Sequence, residues 1–235
     1  MIEVGAGRDE GRASRSTAAW LESVLAAERR GELLSAFDLA ERGLDEHPGD
    51  VLLQHRAVLA LARTGSTEQA ARRFEEFALG DVATEDVRAL QARIAKDAAL
   101  AAEGAERRRL ARRSAALYER IFAETGGYYP GINAATLRLL AGDAVGSQKL
   151  ARSVLELLGR CREESYYALA TEAEARLLLR DSDAAIPALE RAAMLHGGDY
   201  GALATTRRQL RLVCDQHGID REVLAPLAGP RVVHY

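Results

Sequence analysis

Residues that break helices, crosslink small folds or run reactions are scarce in this sequence. Five prolines in 235 residues and an aromatic content of 5% leave little to interrupt a helix or build a sheet core. A chain crowded with Ala, Leu, Arg and Glu instead favours helix over strand. The two cysteines, Cys161 and Cys214, cannot form a disulfide framework and lie in no C-x-x-C arrangement, which fits a reduced, cytoplasmic compartment. No segment approaches the roughly 18 uninterrupted apolar residues of a membrane span. The polar start, MIEVGAGRDEGRASRS, lacks the apolar stretch of a secretory signal.

A strong charge of one sign is also missing. The formal net charge is -3 with 29% charged residues, so both signs are interspersed and no broad basic field is available to bind phosphate. That argues against nucleic acid as the main partner. The five histidines, His47, His55, His196, His217 and His234, share no H-x-x-x-H or H-E-x-x-H spacing, and neither a G-x-S-x-G elbow nor a P-loop is present. The expectation is a chain without catalytic residues, metal or cofactor.

What the sequence does contain is a repeat. After a polar leader, residues 1–16, helix-length apolar patterns alternate with short Gly, Asp or Ser breaks. Gly31 to Asp50, GELLSAFDLAERGLDEHPGD, carries the second-helix pattern of a tetratricopeptide repeat: Gly31 at the turn, Ala36 and Ala40 on the packing face, Pro48 closing the unit. Trp20 stands where the first helix carries its large anchor, and Gly43 suits a close contact. Thirty-four residues after Gly31 the pattern recurs, with Gly65 at the turn and Ala70 and Phe74 in A-x-x-x-F spacing. Ala185, Leu189 and Ala192 mark a third unit, whose Pro187 is expected in the first turn of its helix. The reading is an all-α, tetratricopeptide-like α-α superhelix of about eleven helices over residues 17–224. The tail, residues 225–235, breaks the pattern with Pro226, Gly229 and Pro230, then ends on a β-prone run that suits the start of a following domain.

More specific than the generic repeat is GGYYPGINAATLRLLAGD, Gly126 to Asp143. With RIAKD at Arg93 to Asp97, the run Tyr166 to Glu174, and Thr206 to Leu210, it resembles the TRAFs-binding domain family. The resemblance spans nearly all of the chain after the leader. Animal members of that family form the central regulatory region of apoptosis signal-regulating kinases, and bacterial relatives sit in multidomain signalling or defence proteins. It therefore implies a bacterial-type regulatory scaffold that binds a partner protein or controls a tethered effector domain. No kinase motif accompanies it here, so the animal partner does not carry over.

Candidate partner-binding residues come from these segments. Tyr128, Tyr129 and Asn133 sit beside Pro130-Gly131, where two aromatics at a turn could present a binding patch. The structural alternative is that Asn133 caps the following helix, with Ile132 stapled onto Leu137 and the tyrosines wedged between repeats. Arg93, Lys96 and Asp97 share one helix face, where Arg93 and Asp97 suit an i, i+4 ion pair. Tyr166 and Tyr167 complete the set. The alternative functional reading, a nucleic-acid or nucleotide sensor, rests on the run Arg107, Arg108, Arg109, Arg112 and Arg113, against the ordinary solvated helix face.

Overall fold

A computed structural model describes residues 15–161 and 164–228. Among them all regular structure is helical, eleven α-helices and two 3-10 segments, in two compact units divided after Arg73.

The first unit holds α1 (Thr17–Arg29), α2 (Leu33–Glu46), α3 (Val51–Thr64) and the beginning of α4 (Thr67–Glu76). Ser16 starts α1 by accepting from the Ala19 amide through Oγ, at 3.3 Å. Arg15 stacks its guanidinium 4.1 Å over the Trp20 ring, and its amide donates to Glu46 Oε2 at 2.8 Å. Two residues assigned to the leader by sequence are thus packed and capping; residues 1–14 lie outside the described residues. Gly31 and Gly65 occupy equivalent turns with φ of 77° and 86°, a conformation that costs a residue bearing Cβ about 1–2 kcal/mol. Gly65 closes α3 in a Schellman arrangement, with the Ser66 amide reaching back to the Leu61 carbonyl at 3.0 Å. Ala36 and Ala40 are wholly buried, as the repeat pattern requires. Gly43 lies under the Trp20 anchor, where a Cβ would come within 3.1 Å of Trp20 Cγ and 2.9 Å of Leu53 Cδ1.

The second unit begins at Phe74 and passes through a 3-10 turn, Leu79–Asp81. Next come α5 (Glu85–Ala101), α6 (Gly104–Thr125), α7 (Tyr128–Leu140), α8 (Ala144–Cys161), α9 (Tyr166–Leu178), α10 (Ser182–Leu195), α11 (Tyr200–His217) and a 3-10 segment, Arg221–Leu227. From α5 to α10 each helix packs on the next, whereas α11 returns to α9 and α7. One apolar core joins Ala92, Ala115, Tyr118 and Leu137; another joins Ile132, Ala135, Val154, Leu177 and Leu210. Helix α7 contributes to both, which is why ten of its thirteen residues are buried.

Two local expectations are corrected. Pro187 is the sixth residue of α10, beyond the first turn, so its missing N–H withholds a bond that the Asp183 carbonyl would otherwise accept. The chain also does not leave the fold at Leu224: the closing 3-10 segment runs to Leu227, with Val223, Leu224 and Leu227 buried. Pro226 is compatible with that tighter helix. The β-prone run at the end of the chain lies outside the described residues.

Candidate functional site

Helix α5 starts at Thr84, whose hydroxyl accepts from the Val87 amide at 3.4 Å, and buries Val87, Leu90, Ala92, Ile94 and Ala99. That leaves Arg93, Lys96 and Asp97 together on another face, at i, i+3 and i+4. Ser114 of α6 donates to the Ala92 carbonyl at 3.0 Å inside the core and ties α5 to α6.

The start of α7 corrects the expected Pro-Gly turn. Gly126 ends α6 in the left-handed conformation, Gly127 is the N-cap of α7, and Tyr128 is already helical. Pro130 therefore falls third in the helix, among positions whose N–H has no partner within the helix, so its ring costs nothing there. Gly131 lies inside α7 because a Cβ would stand 2.8 Å from Val154 Cγ2 and 3.0 Å from Phe122 Cε2. Asn133 consequently caps nothing. With Tyr129 and Thr136 it forms a polar stripe at i, i+4 and i+7 along a mostly apolar helix.

The side chains on that stripe meet Lys96 of α5 and Glu174 of α9, and Gln209 of α11 joins those two. Lys96 Nζ donates to Asn133 Oδ1 at 2.8 Å and to Gln209 Oε1 at 3.3 Å. Gln209 Nε2 donates to Glu174 Oε1 at 2.9 Å, and Thr136 Oγ1 donates to the same oxygen at 2.5 Å. Asn133 Nδ2 returns to the Tyr129 carbonyl at 2.9 Å. Arg93 Nε stands 3.6 Å from Asp97 Oδ2, which realises the expected i, i+4 pair as an ion pair without a closed hydrogen bond. Tyr118 is buried beneath, edge-on to Tyr129 with ring centroids 6.3 Å apart, while Tyr129 itself remains 48% exposed.

Burial dominates the electrostatics here. It pushes the Glu174 carboxyl above its ordinary value, against the hydrogen bonds from Thr136 and Gln209 and the charge of Lys96. Asp97 is likewise raised by burial, opposed by Arg93, Lys96 and Arg208. Tyr118 is held well above the usual phenol range by burial and by the neighbouring Tyr129. A buried carboxylate beside a half-buried ammonium repays its lost hydration only when it is hydrogen-bonded, and a tetratricopeptide core can be built from Ala and Leu alone. Such groups at a helix junction point to recognition or register.

The remaining candidates are dispersed. Tyr128 packs on the second apolar core. Tyr166 is buried, its hydroxyl donating to Thr206 Oγ1 at 2.8 Å, with Tyr167 edge-on beside it and 58% exposed. The basic run divides as well: Arg107 Nε caps α5 through the Ala102 carbonyl at 2.7 Å, and Arg109 pairs with Glu106 at 2.6 Å. Arg108, Arg112 and Arg113 face solvent. Glu174 and Gln209 were not singled out from sequence, although both lie in segments that carry the family resemblance. Among the described residues no cluster of three or more His, Cys, Asp or Glu could hold a metal ion, and no helix is long and apolar enough to cross a membrane.

Helix pairs with small residues at the packing positions and glycine at the turns define a tetratricopeptide-type protein. The crystal structure of a thermophilic tetratricopeptide protein from Thermus thermophilus superposes with a TM-score of 0.65 at 15% identity, covering 83% of this chain and 100% of that one. The family model described as Tetratricopeptide Repeats-Sensor matches residues 17–138, and the chain belongs to that family. No curated protein matches it.

Proposed function

We propose that this chain is a non-catalytic, partner-binding regulatory module, bacterial in type, that works in signalling or defence by binding a protein or controlling a tethered effector domain. The observation that carries the reading is the cluster of Arg93, Lys96, Asp97, Tyr129 and Asn133, joined by the Lys96–Asn133 contact at 2.8 Å. Five of the residues proposed from sequence for partner binding belong to it. Tetratricopeptide folds bind protein partners as a rule, and the family's description as a sensor supports a regulatory role. The finer likeness to the TRAFs-binding domain, from the Gly126 to Asp143 segment, supports a module that works beside an effector, and two cysteines outside any C-x-x-C arrangement suit a reduced, cytoplasmic setting. The sensor of nucleic acid or nucleotide at Arg107 to Arg113 is the less favoured reading, because Arg107 and Arg109 are engaged within the chain.

Affinity capture from native lysate tests the main reading. A partner retained by the parent chain and lost by Tyr129→Ala, with both shown folded by circular dichroism, is the expected result. Equal recovery moves the site elsewhere, and saturable turnover of a nucleotide or ester, sensitive to mutation, sinks the non-catalytic reading.

A further inference from the structure

The cluster holds an uneven balance of charge and a replaceable acceptor. Arg93 and Lys96 lie on α5, and the exposed Arg208 of α11 acts electrostatically on Asp97 from the other side. Two carboxylates oppose these three cations, Asp97 and Glu174. Glu174 is only 7% exposed and faces inward, toward Thr136 and Gln209. The outward side of the cluster is therefore cationic, bordered by the half-exposed Tyr129 ring.

Lys96 satisfies its ammonium with two neutral amide oxygens. Asn133 Oδ1 is at 2.8 Å, while Gln209 Oε1 is at 3.3 Å, the longer and weaker contact. A carboxylate at the second position would turn this bond between an ammonium and an amide dipole into an ion pair between two full charges. Helix α11, which carries Gln209, follows His196-Gly197-Gly198-Asp199, where both glycines have positive φ, 59° and 85°. That turn lets α11 shift without strain in residues bearing Cβ.

We infer that an acidic segment of a protein partner docks against Arg93, Lys96, Arg208 and Tyr129, its carboxylate replacing the Gln209 amide on Lys96. Gln209 then acts as a place-holder, and docking loosens the tie between α11 and α5. An isolated carboxylate fits this surface better than a polyphosphate strand does. Asp97 stands among the outward cations and repels the closely spaced charges of a phosphate strand more than carboxylates set apart along a peptide.

The inference rests on the reading of this cluster as the partner site, and the test separates the two. Fluorescence anisotropy on the full chain would compare a labelled Glu/Ala peptide of about twelve residues, its Gln/Ala counterpart and a single-stranded RNA of similar length. The Glu/Ala peptide is expected to bind roughly tenfold more tightly than the Gln/Ala peptide, and Lys96→Met to remove that preference. Gln209→Ala is expected to tighten binding roughly threefold, because a place-holder competes where an ordinary contact residue contributes. Arg208→Ala, at an exposed position that folding does not depend on, is expected to weaken binding roughly threefold. Weaker or unchanged binding by Gln209→Ala overturns the inference, as does RNA or the Gln/Ala peptide binding as tightly as the Glu/Ala peptide. If the peptide fails while lysate capture still depends on Tyr129, the acidic-partner inference falls and the partner site stands. If the peptide behaves as expected while capture ignores Tyr129, the cluster stands as an acidic-segment site and Tyr129 is removed from it.

Discussion

Glu174 shows how one residue carries the strain of the site. Its carboxyl is raised above its ordinary value of 4.5 by burial. Between pH 4.5 and that raised value the folded chain holds more protons than the unfolded chain, so stability falls as pH rises through the window, and the penalty is complete above it. Glu174→Gln keeps the acceptor for Thr136 and Gln209 but cannot ionise. Urea unfolding is expected to show a flatter pH dependence for the variant than for the parent chain as pH rises above 4.5. A residual slope of the same sign comes from Asp97, also raised by burial. Identical slopes in the two proteins would mean that Glu174 is not a source of the effect.

Gly43 gives a second prediction at this scale. An added methyl would press on Trp20 and Leu53, and overpacking of that kind costs about 1–3 kcal/mol, so Gly43→Ala is expected to lower the unfolding free energy by that amount. Gly49→Ala serves as the control, since its Cβ would meet nothing within 4 Å. Chemical denaturation of the pair decides the matter, and equal stability would contradict the packing described. Gly43 was legible as a close-contact position because it follows the repeat pattern. Glu174 was not, because in an Ala-rich helix short side chains flank every face and periodicity alone cannot assign the buried one.

Elements were legible where apolar spacing and caps agreed. Helices α5 (Glu85–Ala101) and α6 (Gly104–Thr125) are bounded by the Thr84 cap and the left-handed Gly126. Proline positions were read less well. Pro130 looked like a turn and is a tolerated third helical residue; Pro187 looked like a first-turn residue and lies deeper in α10. Both misplacements have one cause: a proline fixes its own φ but does not show from sequence how many helical residues precede it. Pro187 is exposed, so replacing it removes little packing. Pro187→Ala is expected to restore the bond to the Asp183 carbonyl and raise stability by about 1–3 kcal/mol, read as a higher melting temperature. A lower melting temperature would show that the ring matters to α10.

At the level of the whole molecule, the repeat phase at thirty-four residues revealed the fold class, because Gly31 and Gly65, and Ala36 and Ala70, perform the same tasks in successive turns and helices. The site was only half visible. Arg93, Lys96, Asp97, Tyr129 and Asn133 came from local segments, whereas Gln209 joins Lys96 from 113 residues away. No local pattern records a pairing of that kind. Tyr166 and Tyr167 show the converse, since adjacency in sequence placed one tyrosine in the core and the other in solvent.

The central claim is that a protein partner is recognised at the junction of α5 and α7. Hydrogen exchange on the chain alone and with its captured partner tests this most directly. Slower exchange in the complex, concentrated over residues 90–97 and 128–136, is the expected result. Protection confined to the exposed arginines of α6, Arg108, Arg112 and Arg113, with those two segments unchanged, would contradict it.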